Sequence, residues 1–165
     1  MLLDEGDSSN GYETFASEFM VRRRRSSIGA SMVQSWARSR PCGASILDLG
    51  CGFGVPISEA LMNEGLIVYG VDASPTLIAA FRARFPQARA VCEAVESSSF
   101  FNQSFDGAVA IGLLFLLSAE AQRDLIHRVG RALKPGGRFL FTSPIKSGTW
   151  TDVLTSRPSL SLGAA

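Results

Sequence analysis

Three glycines on alternate positions, Gly50, Gly52 and Gly54, follow directly on the apolar run Ile46-Leu47-Asp48-Leu49, with Cys51 and Phe53 between them. Such a turn is suited to cradling a ligand. A residue without Cβ takes positive φ and lets the backbone come close to a bound molecule. A helix starting just beyond would aim unpaired N–H groups at the same point. Asp72 closes a second run, Tyr69-Gly70-Val71-Asp72, about twenty residues past the turn, where a carboxylate can accept hydrogen bonds from both hydroxyls of a ribose. The same charge disfavours a 2′-phosphate. Asp72 could instead cap the next helix, although Ser74 suits that role better. Asp48 either braces the turn by accepting backbone N–H bonds or reaches a ligand amino group through water, and both readings stay open.

The elements that must carry these residues alternate. Strands are expected at about 45–49, 66–71, 88–92, 105–111 and 138–142, and helices at about 55–64, 74–85 and from Ser118 onward. Ser74-Pro75 supplies an N-cap and a proline in the first turn, and Lys134-Pro135-Gly136-Gly137 reads as the turn that closes the last helix. Ahead of the first strand, Tyr12, Phe15 and Phe19 recur at helical spacing on a helix ending in the run Arg22, Arg23, Arg24 and Arg25, and a second helix at about 28–38 groups Ile28, Met32 and Trp36 on one face. The aromatic stripe is either core packing or a lid. Strand and helix in alternation imply parallel pairing through right-handed crossovers. The fold class is therefore α/β, a doubly wound, Rossmann-like and mostly parallel sheet with helices on both faces, and ligands of such sheets lie beyond the carboxyl ends of the strands at the switch point. The segment 143–165, rich in Ser, Thr, Gly and Pro, offers no helix or strand pattern.

At 165 residues and 46% apolar content the chain suits one domain with a real core. Its 16 basic and 15 acidic residues leave net charge +1, which gives no global attraction to nucleic acid and fits a small substrate better. Three cysteines, Cys42, Cys51 and Cys92, lack C-x-x-C spacing, so neither a disulfide framework nor a metal site is indicated and a reducing cytoplasmic setting is expected. The first ten residues are acidic and polar, unlike a signal peptide, and the longest apolar run, 108–117, is too short to span a bilayer, so no membrane insertion is expected. His127, the one histidine, falls on the amphipathic helix 119–133, away from the strand ends. Neither a G-x-S-x-G elbow nor the H-x-E and P-C-x-x-C pattern of zinc deaminases is present. A dinucleotide turn would place its third glycine where Val55 stands, which weighs against a nicotinamide or flavin enzyme.

The spacing D-x-G-x-G-x-G at 48–54, the segment Phe105-Asp106-Gly107-Ala108-Val109-Ala110-Ile111 and the later Leu133-Lys134-Pro135-Gly136-Gly137 resemble, in order, motifs of the class I S-adenosylmethionine-dependent methyltransferases, of the small-molecule bacterial type. The resemblance covers about 12–142 and implies one domain over 1–165, with a helical N-terminal lid at 1–40, a cofactor-binding core at 45–142 and a tail at 143–165. It implies S-adenosylmethionine as cofactor and S-adenosylhomocysteine as product. Cofactor contacts would come from Asp48, Gly50, Cys51, Gly52, Gly54, Asp72, Ala73, Glu93, Ala94 and Ile111. In that family an acidic residue after the third strand, here Glu93, meets the adenine amine. An N-terminal aromatic, here Tyr12, and an arginine, one of Arg22 to Arg25 with Arg25 the candidate, cover the cofactor, the arginine pairing with its carboxylate or else standing on a solvated charged face. The acceptor is a small molecule that no motif specifies. Family members add a strand pair after the fifth strand, and no recognisable version stands here, so the sequence reads as a fragment or a departure from the family. An exposed edge at the fifth strand would then invite self-association. Two other readings remain: a non-catalytic cofactor-binding protein or inactive fragment, and a nicotinamide-dependent oxidoreductase.

Overall fold

The computed structural model describes residues 7–143 and 148–161. At its centre lie five strands, β1 (Ser45–Leu49), β2 (Ile67–Asp72), β3 (Arg89–Cys92), β4 (Phe105–Ala110) and β5 (Leu133–Phe141), in the order β3-β2-β1-β4-β5 with every neighbouring pair parallel. The crossovers use α3 (Ile57–Asn63), α4 (Pro75–Arg84) and α5 (Ala119–Ala132), and α1 (Ala16–Arg24) and α2 (Ala30–Arg38) precede the sheet. The chain order reverses at β1, which is flanked by β2 on one side and β4 on the other. This is the doubly wound α/β arrangement, and its switch point lies at the end of β1.

Period-two alternation decides what each face holds. Ile46, Val68 and Val109 meet Val33 and Ala37 of α2, Leu61 of α3 and Phe81 of α4 on one face. Leu47, Leu49, Val71, Ala108 and Ala110 meet Leu125 and Val129 of α5 on the other. The same alternation turns Asp48 and Gly70 to the α3 and α4 side. At Gly70 a Cβ would stand 2.7 Å from Cys51 Sγ, and at Gly107 it would stand 2.7 Å from the Trp36 ring, so each glycine leaves room for a side chain packed across the sheet. A third, smaller cluster of Ala16, Phe53 and Leu77, with Phe19 and Met20 against it, fixes α1 over the glycine turn.

The structure corrects four expectations of detail. α2 begins at Ala30 and buries Val33 and Ala37, whereas Ile28 precedes it at 74% exposure and Met32 is 41% exposed. Docking of Trp36 over Gly107 sets that rotation. The N-terminal helix starts only at Ala16, so Tyr12 and Phe15 lie in the turns before it. The fifth strand begins at Leu133 and not at 138, and the expected turn Lys134-Pro135-Gly136-Gly137 is carried inside it as a bulge: Gly136 has φ of +79°, and the pairing jumps from Phe105–Leu133 to Gly107–Arg138 across it. Finally, the tail forms two strands, β6 (Gly148–Thr151) and β7 (Pro158–Ser161), paired antiparallel as a sheet of their own and not joined to β5. Asp152 builds the connection between them, its Oδ1 accepting from the N–H groups of Leu154 and Thr155 at 2.9 and 2.7 Å. One carboxylate thus orders a hairpin that has no hydrophobic alternation to announce it.

Candidate functional site

The carboxyl ends of β1, β2 and β4 open into a cavity of about 560 Å³. Its floor is the turn Gly50-Cys51-Gly52, with Asp72 ending β2 and Ala73 just past it, Ile111 and Leu113 beyond β4, and Thr142 beyond β5. Residues 7–10 with Tyr12, Phe19, Arg23 and Ile28 form the roof, and Phe115, Leu116 and Leu117 form a wall. Gly50 and Gly52 have φ of +69° and +55°. Their left-handed backbone folds the N–H groups of Gly50 and Cys51 back onto the Val71 carbonyl, at 2.8 and 3.1 Å, and leaves Gly52 open to the cavity.

Two carboxylates face this space. Asp72 Oδ2 accepts from Gly52 N–H at 2.8 Å and Oδ1 from Ser74 N–H at 2.9 Å. It therefore ties the end of β2 to the glycine turn, while each oxygen keeps a lone pair for a ligand hydroxyl. Burial pushes its pKa up against the pull of those two hydrogen bonds, and Glu13 pushes the same way. Ser74 is the helix cap: its hydroxyl accepts from Leu77 N–H at 3.1 Å and donates to Glu13 of the N-terminal segment. Asp48 is 2% exposed and accepts from Ser58 Oγ at 2.5 Å. It braces the turn through a helix side chain, not through backbone N–H groups. Burial raises its carboxyl to about 7, opposed by Ser58 and Arg23 and assisted by Asp72.

The roof is held from both ends of the chain. Tyr12 Oη donates to Asp152 Oδ2 at 3.0 Å, Arg157 reaches Asp7 Oδ2 at 3.0 Å, and Asn10 Nδ2 donates to the Leu116 carbonyl at 2.9 Å. Tyr12 also meets Phe19 edge to face at 5.2 Å between centroids. Burial and the Asp152 charge push the Tyr12 hydroxyl well up, so it stays a donor. The aromatic stripe is thus both packing and cover.

Of the residues singled out by sequence, Asp48, Gly50, Cys51, Gly52, Asp72, Ala73, Ile111 and Tyr12 are brought together on this cavity, and Gly54, Glu93, Ala94 and Arg25 are not. Gly54 faces away: a Cβ there would stand 2.5 Å from the Phe85 ring and 2.9 Å from that of Phe81. Glu93 turns its carboxylate to Ser98 Oγ at 2.6 Å, and Val95 and Glu96 line the cavity in its place. Arg25 is the exposed C-cap of α1, whereas Arg23 is half-buried and lines the roof. Desolvation lowers the Arg23 pKa while Tyr12 and Asp48 raise it. Sequence reasoning also missed the wall at 115–117, which reads as core, and residues 7–10, which carry no pattern. His127 is exposed on α5. Among the described residues no cluster of three or more His, Cys, Asp or Glu forms a metal site, and no helix is long and apolar enough to cross a membrane.

A doubly wound sheet that gathers a glycine turn and a strand-end carboxylate at its switch point defines a nucleotide-type binding domain. Residues 46–137 match the methyltransferase domain family. The chain belongs to that family, among the class I S-adenosylmethionine-dependent methyltransferases. It is 36% identical over 115 residues to a cypemycin N-terminal methyltransferase from Streptomyces sp, covering 67% of this chain and 46% of the relative. Among solved structures it resembles a TehB-like S-adenosylmethionine-dependent methyltransferase from Corynebacterium glutamicum, with TM-score 0.69, 22% identity, and 90% and 96% of the two chains covered. It also resembles the glycopeptide N-methyltransferase MtfA complexed with S-adenosyl-L-methionine, with TM-score 0.62, 23% identity, and 80% and 64% covered. The chain spans about half the length of the curated relatives it matches.

Proposed function

We propose that this chain binds S-adenosylmethionine in the cavity over the glycine turn and transfers its methyl group to a small-molecule acceptor. The observation that carries this reading is Asp72, a carboxylate at the end of β2 that holds Gly52 N–H and still offers lone pairs to the cavity. The residues present suit the cofactor: Asp72 for the ribose hydroxyls, the open Gly52 for close backbone approach, Leu77 and Val95 as apolar bedding, and Arg23 for a carboxylate. When bound, the cofactor supplies an electrophilic methyl group, so the protein needs no nucleophile of its own. The roof residues Tyr12, Phe19 and Arg23 would exclude water from the bound cofactor, and the wall of Phe115 and Leu116 would offer the acceptor an apolar surface against which to be oriented. A cytoplasmic setting is part of this proposal and rests on the three cysteines of the sequence, which are odd in number and lack paired spacing.

Titration calorimetry with S-adenosylhomocysteine tests this. Micromolar binding is expected, with Arg23→Ala weakening it about tenfold and Arg25→Ala leaving it within about twofold, the span of one charge-assisted hydrogen bond. Absence of heat in a folded chain would overturn the reading. Binding with no methyl transfer across acceptor screens would favour the non-catalytic alternative, and enhanced fluorescence of a reduced nicotinamide on mixing would favour the oxidoreductase.

Self-association is proposed on separate grounds. β5 stands at the edge of the central sheet, paired only with β4 among the described residues, and Phe141 on it is 39% exposed. Such an edge is a template for strand pairing. Light scattering at micromolar concentration should give a mass above that of the monomer, and a monomeric mass would remove the proposal.

A further inference from the structure

Ser58 has no role in the reading above, yet its hydroxyl is fully enclosed beside the site. It is 0% exposed, lies in the first turn of α3, and donates its hydroxyl hydrogen to Asp48 Oδ2 at 2.5 Å. A hydroxyl in so apolar a setting has strong reason to be paired, and Asp48 is where its bond goes. The other carboxylate oxygen is left for the cavity, which Asp48 lines.

We propose that Ser58 is a positioning residue that keeps Asp48 aimed at the cavity and eases its ionisation, so that capture of a cationic amino-acid group is coupled to loss of a proton from Asp48. The inference rests on the cofactor reading and deepens it by naming a residue that acts through another. The charged and titratable groups facing Asp48 come from three sides. Asp72 at the end of β2 opposes its ionisation, Arg23 of α1 favours it, and Cys51 in the turn, its thiol raised well above its usual value by burial, stays neutral. The hydroxyl of Ser58 adds to Arg23, and together they fall short of the burial that keeps the carboxyl near neutrality. A ligand ammonium entering the cavity supplies what is lacking. Asp48 then gives up its proton to solvent and becomes a carboxylate, and the ammonium keeps its own hydrogens.

The sign follows from linkage. A carboxyl raised to about 7 is mostly protonated below that pH in the free protein, so binding a cation must expel a proton and weakens as pH falls. Between pH 8 and pH 6, S-adenosylhomocysteine should bind the parent chain about tenfold less tightly. At pH 6 calorimetry in buffers of different ionisation enthalpy should register release of close to one proton per molecule bound. In Ser58→Ala the fall should begin at higher pH and span more than tenfold, with affinity returning toward that of the parent at pH 8. A purely structural role would lower affinity by one factor at every pH, which would overturn the proposal. Asp48→Asn should abolish the proton release, and its persistence there would assign the proton to Asp72 and overturn the proposal. If Ser58→Ala does not fold, Ser58→Cys, close in size but a far weaker donor, should show the same displaced pH profile, and a profile like that of the parent overturns the proposal. Tight binding by the parent with no proton released overturns the inference and leaves the cofactor reading standing, whereas no binding at any pH removes both.

Discussion

Replacing Gly54 with alanine is expected to destabilise the chain by about 3 kcal/mol. The residue has φ of +88°, where an L side chain costs about 1–2 kcal/mol, and its new Cβ would enter the rings of Phe85 and Phe81 at 2.5 and 2.9 Å. Phe81 is fully buried in the sheet core and cannot retreat, so overpacking adds about 1–3 kcal/mol. For a domain of this size the loss should appear as a fall of about 6–12 °C in Tm by circular dichroism. Gly52→Val shares the backbone cost, since φ there is +55°, but among the described residues its Cβ position meets only Phe19, at 3.3 and 3.9 Å, and otherwise opens on the cavity, so the clash falls on the ligand and not on the core. Its main effect should be loss of S-adenosylhomocysteine binding. If Gly54→Ala melts with the parent, the ring contacts that set its cost are wrong.

The contrast between these two glycines marks where the sequence stops being legible. A run such as Ile46-Leu47-Asp48-Leu49 followed by alternate glycines declares a strand, a turn and the helix after it, because period-two burial and the need for positive φ are both local. Which glycine opens to the ligand and which accommodates a phenylalanine from α4 depends on packing across the sheet, and nothing within 48–54 encodes it. The arginine run has the same difficulty. Four consecutive arginines point in four directions around a helix, each about 100° from the last, and only the anchoring of α1 through Phe19 and Met20 against Phe53 and Leu77 turns Arg23 inward and leaves Arg25 exposed.

The paired ends of the chain were hidden for another reason. Asp7 and Arg157, and Tyr12 and Asp152, meet across 150 and 140 residues, and a polar contact at such separation leaves no periodic trace. Burial pushes the Asp7 and Asp152 carboxyls up, but their hydrogen bonds outweigh it and hold both below the usual carboxylate range. Stability from these contacts is therefore present above the ordinary carboxyl pKa and is lost as pH falls through the lowered ones. Asp72 and Asp48 have the opposite sign. Raised by burial, they make the ligand-free fold most stable below their unfolded pKa, and that stability declines as pH rises through the folded values. The cover is built from groups that favour their charged form, and the floor from groups strained by it.

That strain makes Asp72→Asn the most informative substitution. In the free protein two effects oppose each other. An amide cannot accept on both sides, so either Gly52 N–H or Ser74 N–H would face an NH2 group and lose its acceptor, at a cost of about 1–3 kcal/mol. Against this, the desolvation of a buried carboxylate is relieved. Net stability of the ligand-free chain in urea should therefore change by no more than about 1 kcal/mol. Binding has no such compensation in the proposed mode, because both ribose hydroxyls would lose a charged acceptor and the glycine turn its tie to β2. S-adenosylhomocysteine should bind about 100-fold more weakly, or about 2.7 kcal/mol, and ligand concentrations that raise the Tm of the parent should leave the variant unmoved. Asp72→Ala should weaken binding at least as much. A variant that binds as the parent does would take Asp72 out of the site. A variant that unfolds without ligand would mean instead that the carboxylate serves the turn first and the ligand second.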